Sequence, residues 1–189
     1  MRPLPKECFD LLMLSAVVLY EVTHRSPGVD PAETLVRTLS SLVRANVEGL
    51  LRDVAIAGPA SQGLEIIADH AGCGLIEAIG EPEWLREAIE AARGPHILLI
   101  RSGFAPQQGF IEEAGDFLQR PPRANGAEVA VLRAAPERLF ERMFPGAAPL
   151  AGLIAPRDRC LKGSAKRLVG LAQFLRPATT LRTHARRIA

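Results

Sequence analysis

Apolar runs and amphipathic segments alternate along this chain, and the alternation predicts its elements. Leu12 to Tyr20 is an apolar run that reads as a buried strand, followed by a loop, Glu21 to Pro31, rich in turn formers. From Ala32 to Val43 the apolar residues fall at Leu35, Val36, Leu39, Leu42 and Val43, the three-and-four spacing of an amphipathic helix. Asp30-Pro31 supplies its cap and first turn. Asp53 to Ala57 reads as a short strand closed by Gly58-Pro59, Ser61 to His70 as a helix stopped at Ala71-Gly72, and Cys73 to Ala78 as a third strand. Glu83 to Arg93 is a helix with Pro82 near its start and Gly94 as its stop, leading into the strand Ile97 to Ile100 and then the helix Gln108 to Leu118.

Strand-helix-strand alternation at this spacing implies parallel strands joined by right-handed crossovers, with helices on both faces. The expected fold is α/β: a three-layer sandwich around a mostly parallel sheet. After Arg120-Pro121-Pro122 the rhythm changes to a strand at Glu128 to Arg133, a short helix at Pro136 to Phe144 and a short strand at Leu150 to Ala155. Lys166 to Leu175 reads as a helix, and Leu181 to Ile188 as a basic, frayed end. The expected division is therefore an α/β domain over residues 1–156 and a basic helical tail over 157–189.

Charge sharpens that division. The net charge of +2 conceals nine Lys or Arg against a single acid, Asp158, from Arg157 onward, so the body is near −6 and the tail near +8. Such a tail suits an anionic membrane surface or a protein partner, or simply packs on the acidic body. Nucleic acid is a poor fit, because Phe174 is the tail's only aromatic residue. Cys8, Cys73 and Cys160 are odd in number, far apart and form no CxxC pair, which argues against a disulfide framework or zinc site and for a reducing, cytoplasmic compartment. Leu11 to Tyr20 is too short to span a bilayer, and Glu7 and Asp10 argue against an export leader.

In an open α/β sheet, ligands bind at the carboxyl ends of the strands, which points to the turn Arg101-Ser102-Gly103 after the Ile97 to Ile100 strand. That turn carries no carboxylate. The loop Gly58-Pro59-Ala60-Ser61-Gln62-Gly63 enters a helix, whose first N–H groups could receive a phosphate. Glu112 and Glu113 lie on a helix face near the crevice and read as solvated, while His24, His70, His96 and His184 show no metal-ligand spacing. His96 is expected at the end of its strand opposite the crevice.

With these elements placed, the chain resembles the family 2 glycosyltransferases over roughly residues 12 to 160. The resemblance rests on the opening strand, the helix wording Glu33-Thr34-Leu35-Val36-Arg37-Thr38-Leu39, the strand and loop Val54 to Gly63, the segment Glu65 to Cys73, Ala92-Arg93-Gly94 before the next strand, and Pro106, Gly109, Phe110, Ile111, Glu112 and Glu113 after it. It implies the GT-A fold and a nucleotide or nucleotide-sugar ligand. It also implies a donor site at Ala57, Gly58, Ser61, Arg101, Ser102 and Gly103, most of which depart from the family pattern. Where the family places a base-binding acid stands Ala57, and where it places the metal-binding Asp-x-Asp stand Arg101, Ser102 and Gly103. Hard oxygen ligands for Mg²⁺ or Mn²⁺ are thus missing, and no metal or other cofactor is expected. The family's carboxylate base follows the strand matching Leu150 to Ala155. Only Asp158 is available there, either as that base or in a surface ion pair with its basic neighbours.

Three functions remain open: a degenerate glycosyltransferase-like protein whose metal-dependent transfer is lost or strongly altered, an active atypical transferase with Arg101 binding the diphosphate bidentately, and a non-catalytic assembly module.

Overall fold

A computed structural model of the chain describes residues 13–20, 30–60, 62–120, 128–163 and 165–188. Its elements run β1 (Leu14–Leu19), α1 (Pro31–Val47), β2 (Leu51–Pro59), α2 (Leu64–Ala71), β3 (Gly74–Ala78), α3 (Glu81–Ala91), β4 (His96–Arg101), β5 (Phe104–Pro106), α4 (Phe110–Gln119), β6 (Ala130–Ala134), α5 (Leu139–Met143), β7 (Leu150–Pro156), α6 (Arg157–Leu161), α7 (Leu168–Phe174) and β8 (Thr179–Arg187). The strands form one sheet in the order β3-β2-β1-β4-β7-β6-β8-β5. Pairing is parallel for β3-β2, β2-β1, β1-β4 and β6-β8, and antiparallel where β7 meets β4 and β6 and where β5 meets β8.

Every residue of β1 is buried, as expected of a parallel strand covered on both faces. One core packs Leu14, Ala16 and Val18 against Leu35, Leu39 and Leu42 of α1, Leu64 of α2 and Phe110 of α4. The other packs Val17 and Leu19 with Trp84, Leu85 and Ile89 of α3, Cys160 of α6 and Leu168 and Leu171 of α7. The result is the three-layer α/β sandwich that the periodicity implies. Helix α1 starts where the sequence places it: the Asp30 carboxylate accepts from the Ala32 N–H at 2.9 Å, with Pro31 in the first turn.

The C-terminal segment differs from expectation. Residues Thr179–Arg187 are not a frayed end but a strand inserted between β6 and β5. Their apolar content is small: Leu181 and Ala185, four positions apart, are the buried ones, and that spacing serves a helix as well as a strand. Pairing on both edges decides the conformation. Of the alternatives for the basic segment, the described contacts are those of packing on the body. The Arg157 guanidinium donates to Ile89 O at 3.0 Å and Glu90 O at 2.6 Å, the open carbonyls at the end of α3. Arg159 faces Glu128 at 3.5 Å, Arg167 faces Glu81 at 3.5 Å, and Arg187 bridges Glu137 and Glu141. No helix among the described residues is long and apolar enough to cross a membrane.

Candidate functional site

Strand register brings two of the expected site positions, Ala57 and Arg101, into one row. Leu19 at the end of β1 pairs with Ala57 of β2 on one side and Arg101 of β4 on the other, so the carboxyl ends of these parallel strands form a common edge. Ala57 is fully buried in the core that also holds Leu19. Gly58 is required by packing. A Cβ there would lie 2.8 Å from both Leu64 Cδ1 and Tyr20 Cβ. Ser61 lies outside the described residues, as do Cys8 and His24.

The Arg101-Ser102-Gly103 turn is held from several directions. Arg101 and Ser102 are only 8% and 7% exposed. The Arg101 Nη1 donates to Leu150 O at 3.1 Å, and its guanidinium carbon sits 5.6 Å from the centre of the Phe104 ring. The Ser102 N–H reaches Leu19 O at 2.8 Å and the Gly103 N–H reaches Thr38 Oγ1 at 3.0 Å, while Gly103 O accepts from the Ile188 N–H at 2.8 Å. Gly103 itself has φ +89°, which glycine adopts at little cost. The turn is thus clamped between β1, α1, β7 and the chain end, a constraint that sequence alone does not reveal because its partners lie far off in the chain.

This donor set does not fit a hard divalent cation. It offers a guanidinium, one nearly enclosed hydroxyl and backbone N–H groups that donate elsewhere, whereas Mg²⁺ and Mn²⁺ take carboxylate, carbonyl or water oxygens. Among the described residues no three His, Cys, Asp or Glu side chains come together.

Arg101 also lines a groove of about 720 Å³ between β6, β7 and α7. Arg133 of β6 and Arg176 beyond α7 line it too, with Leu150, Gln173 and Thr180. Neither arginine was singled out from the sequence, since only the reversal of β7 and the return of the chain through α7 bring them beside Arg101.

Asp158 is placed elsewhere. β7 runs antiparallel to β4, with Pro156 opposite His96, so the residues after β7 lie at the amino end of β4. The six-residue strand separates that end from Arg101 by roughly 17 to 20 Å. The Asp158 carboxylate is mostly exposed and 4.0 Å from Lys162. It is the ion pair, not a base facing the crevice. Glu113, read as solvated, instead serves the fold. Its carboxylate accepts from the N–H groups of Arg182 and Thr183 at 2.8 Å each and from the Thr183 hydroxyl. These donors sit where the β6-β8 register slips, Val131 pairing with Thr180 but Arg133 with His184, so the carboxylate satisfies backbone that the sheet leaves free. His96 lies at the end of β4 away from the crevice, and burial lowers its pKa.

No protein-family model matches the sequence, and no curated protein matches it. Solved structures do. Glucosyl-3-phosphoglycerate synthase from Mycobacterium tuberculosis, in complex with Mn²⁺, UDP and glucosyl-3-phosphoglycerate, is 16% identical, with a TM-score of 0.64 over 100% of this chain and 78% of that one. Mannosyl-3-phosphoglycerate synthase from Rubrobacter xylanophilus is 18% identical, with a TM-score of 0.53 over 79% of this chain and 55% of that one. The 4-diphosphocytidyl-2C-methyl-D-erythritol synthase from Anaerococcus prevotii is 9% identical, with a TM-score of 0.61 over 96% and 90% of the two chains. At these identities the likeness is one of architecture. The chain has the GT-A fold of nucleotide-diphospho-sugar transferases.

Proposed function

We propose that this protein retains a nucleotide or nucleotide-sugar site along the carboxyl edge of β1, β2 and β4 but has lost metal-dependent sugar transfer. The observation that carries this reading is Arg101: at the end of β4, in register with Leu19 and Ala57, stands a buried guanidinium anchored to Leu150 O. A cation brought to this position meets a fixed positive charge. Two like unit charges 4 Å apart near a protein surface repel by about 4 kcal/mol, and a divalent ion doubles that. The proposed ligand class is supported by the fold and by solved neighbours that hold UDP or UDP-glucose. Ala57 in place of an acid removes a charge-assisted contact to the base, about 1.5 to 3 kcal/mol, so binding is expected to be weaker by about one to two orders of magnitude than with the acid present.

One observation favours a second reading, an active transferase in which Arg101 takes the cation's part. Arg101 lies where the edge of β4 meets a groove that Arg133 and Arg176 also line, so positive charge is available beside the crevice. Against it, Nη1 of Arg101 is committed to Leu150 O, which leaves a poorer fork for bidentate contact with a diphosphate.

Calorimetry with UDP, GDP and their glucose and mannose derivatives, with and without Mn²⁺, tests the proposal. Binding that is indifferent to Mn²⁺, with no sugar released or transferred, is the expected result. Metal-dependent binding overturns it. Binding lost in Arg101→Met together with metal-independent turnover moves the assignment to the second reading. Silence with every nucleotide leaves an interaction module, for which Leu139, Phe140 and Met143, exposed on α5, are the apolar surface.

A further inference from the structure

The groove between β6, β7 and α7 contains a feature that nucleotide binding does not use. The Arg133 guanidinium is anchored through Nη1 to Ala148 O at 2.7 Å, while its Nε is buried without a hydrogen-bond partner. A buried donor left unmade is costly, more so on a charged group, and in native proteins such an atom commonly marks a missing water or ion. The surroundings say which kind of ligand would answer it. The described lining comprises three arginines, Arg101, Arg133 and Arg176, the polar Gln173 and Thr180, and apolar or glycine positions, with no Asp or Glu. The acids before and within α5 are directed elsewhere: Glu141 accepts from the Glu137 and Arg138 N–H groups and from Arg187, which also binds Glu137. At about 720 Å³ the groove has the size of a small-molecule site.

We propose that this groove binds a small phosphate monoester, its phosphoryl oxygens held by Arg133 from the sheet and Arg176 from the segment beyond α7, as a site separate from the nucleotide edge. Arginine suits this task because its guanidinium donates to phosphoryl oxygens within a fixed plane, and the tie from Arg133 to Ala148 O sets that plane before the ligand arrives. Arg176 is exposed and completes the clamp from the open side. The specificity is for the phosphoryl group, and the apolar positions at Val131, Leu150 and Val169 leave room for a short carbon skeleton.

The test is calorimetric titration of the full chain with inorganic phosphate and with glycerol 3-phosphate at fixed ionic strength. Saturable binding of one equivalent is expected, with affinity lowered about tenfold or more in Arg133→Gln and in Arg176→Gln and unchanged in Lys166→Gln. Arg133→Gln also frees Ala148 O, so the exposed Arg176 keeps the test valid should that variant fold poorly. Phosphate binding that persists in saturating UDP supports a separate site. Absence of saturable binding, equal affinity in Arg176→Gln, or competitive displacement by UDP overturns the proposal. Phosphate binding alongside silence with every nucleotide sinks the nucleotide reading and leaves this one standing.

Discussion

Replacing Thr38 by Val probes how the turn after β4 is held. Thr38 is fully buried on α1, and its hydroxyl donates to Thr34 O at 3.1 Å while accepting from the Gly103 N–H at 3.0 Å. Valine has nearly the same shape, so no cavity opens and the loss is confined to the hydroxyl. The Thr34 carbonyl remains within its helix, but the Gly103 N–H loses its acceptor in a place with little water. An unmade bond of this kind costs about 1 to 3 kcal/mol. For a chain of this size that lowers Tm by about 2 to 12 °C. Thr38→Ser keeps the hydroxyl and gives up one methyl, about 1 kcal/mol. Urea unfolding followed by circular dichroism should place Thr38→Val below Thr38→Ser and both below the parent, with unchanged m-values. Amide exchange at Gly103 should quicken in the Val variant alone. If Thr38→Val matches the parent, or if Thr38→Ser is the weaker of the two, then the turn is not held through this hydroxyl.

Other consequences of the packing can be measured in the same way. A Cβ at Gly152 would lie 2.9 Å from Leu99 O on the neighbouring strand, so Gly152→Ala should cost about 1 to 3 kcal/mol in urea unfolding; a neutral result would show that β4 and β7 can part at no cost. Burial pushes the Glu113 carboxyl up, but the Thr183 hydroxyl, the Arg182 and Thr183 N–H groups and the Arg182 charge outweigh it and hold its pKa below the ordinary value. A depressed folded-state pKa stabilises above the unfolded value of about 4.3 and ceases to do so as pH falls through the folded one. The stability gap between the parent and Glu113→Gln should therefore be constant from pH 6 to 8 and narrow below about pH 4, and a gap undiminished in acid would contradict this. The Cys160 thiol is 1% exposed and pushed up to about 12, chiefly by burial and then by Asp158, so iodoacetamide should modify it only after unfolding; rapid labelling of the native protein would show that α6 opens.

The layered α/β architecture was legible because it rests on local periodicity: Leu35, Leu39 and Leu42 mark the buried stripe of α1, and the wholly apolar β1 announces a strand covered on both faces. The last strand was not legible. Leu181 and Ala185 carry too little pattern, and pairing with β6 and β5 sets their conformation. The candidate site divided along the same line. That Ala57 and Arg101 depart from an acidic pattern was implied by the family resemblance, and register then placed both in one row. Asp158 could not be placed, because the direction of β7 decides which edge it reaches and no local signal distinguishes an antiparallel strand from a parallel one. Arg133 and Arg176 were hidden for the same reason, since reversal and return of the chain bring them to Arg101.

The central claim concerns what stands at the end of β4. Electron paramagnetic resonance of Mn²⁺ with UDP, compared with and without the protein, tests it most directly, since the sharp six-line signal reports free Mn²⁺ and an ion held by the protein loses it. With Arg101 anchored at that position, adding the protein in excess to Mn²⁺ and UDP should not diminish the free six-line signal, because any UDP the protein binds leaves its Mn²⁺ in solution. Stoichiometric loss of the signal that requires both UDP and the folded protein would show that a metal site exists after all.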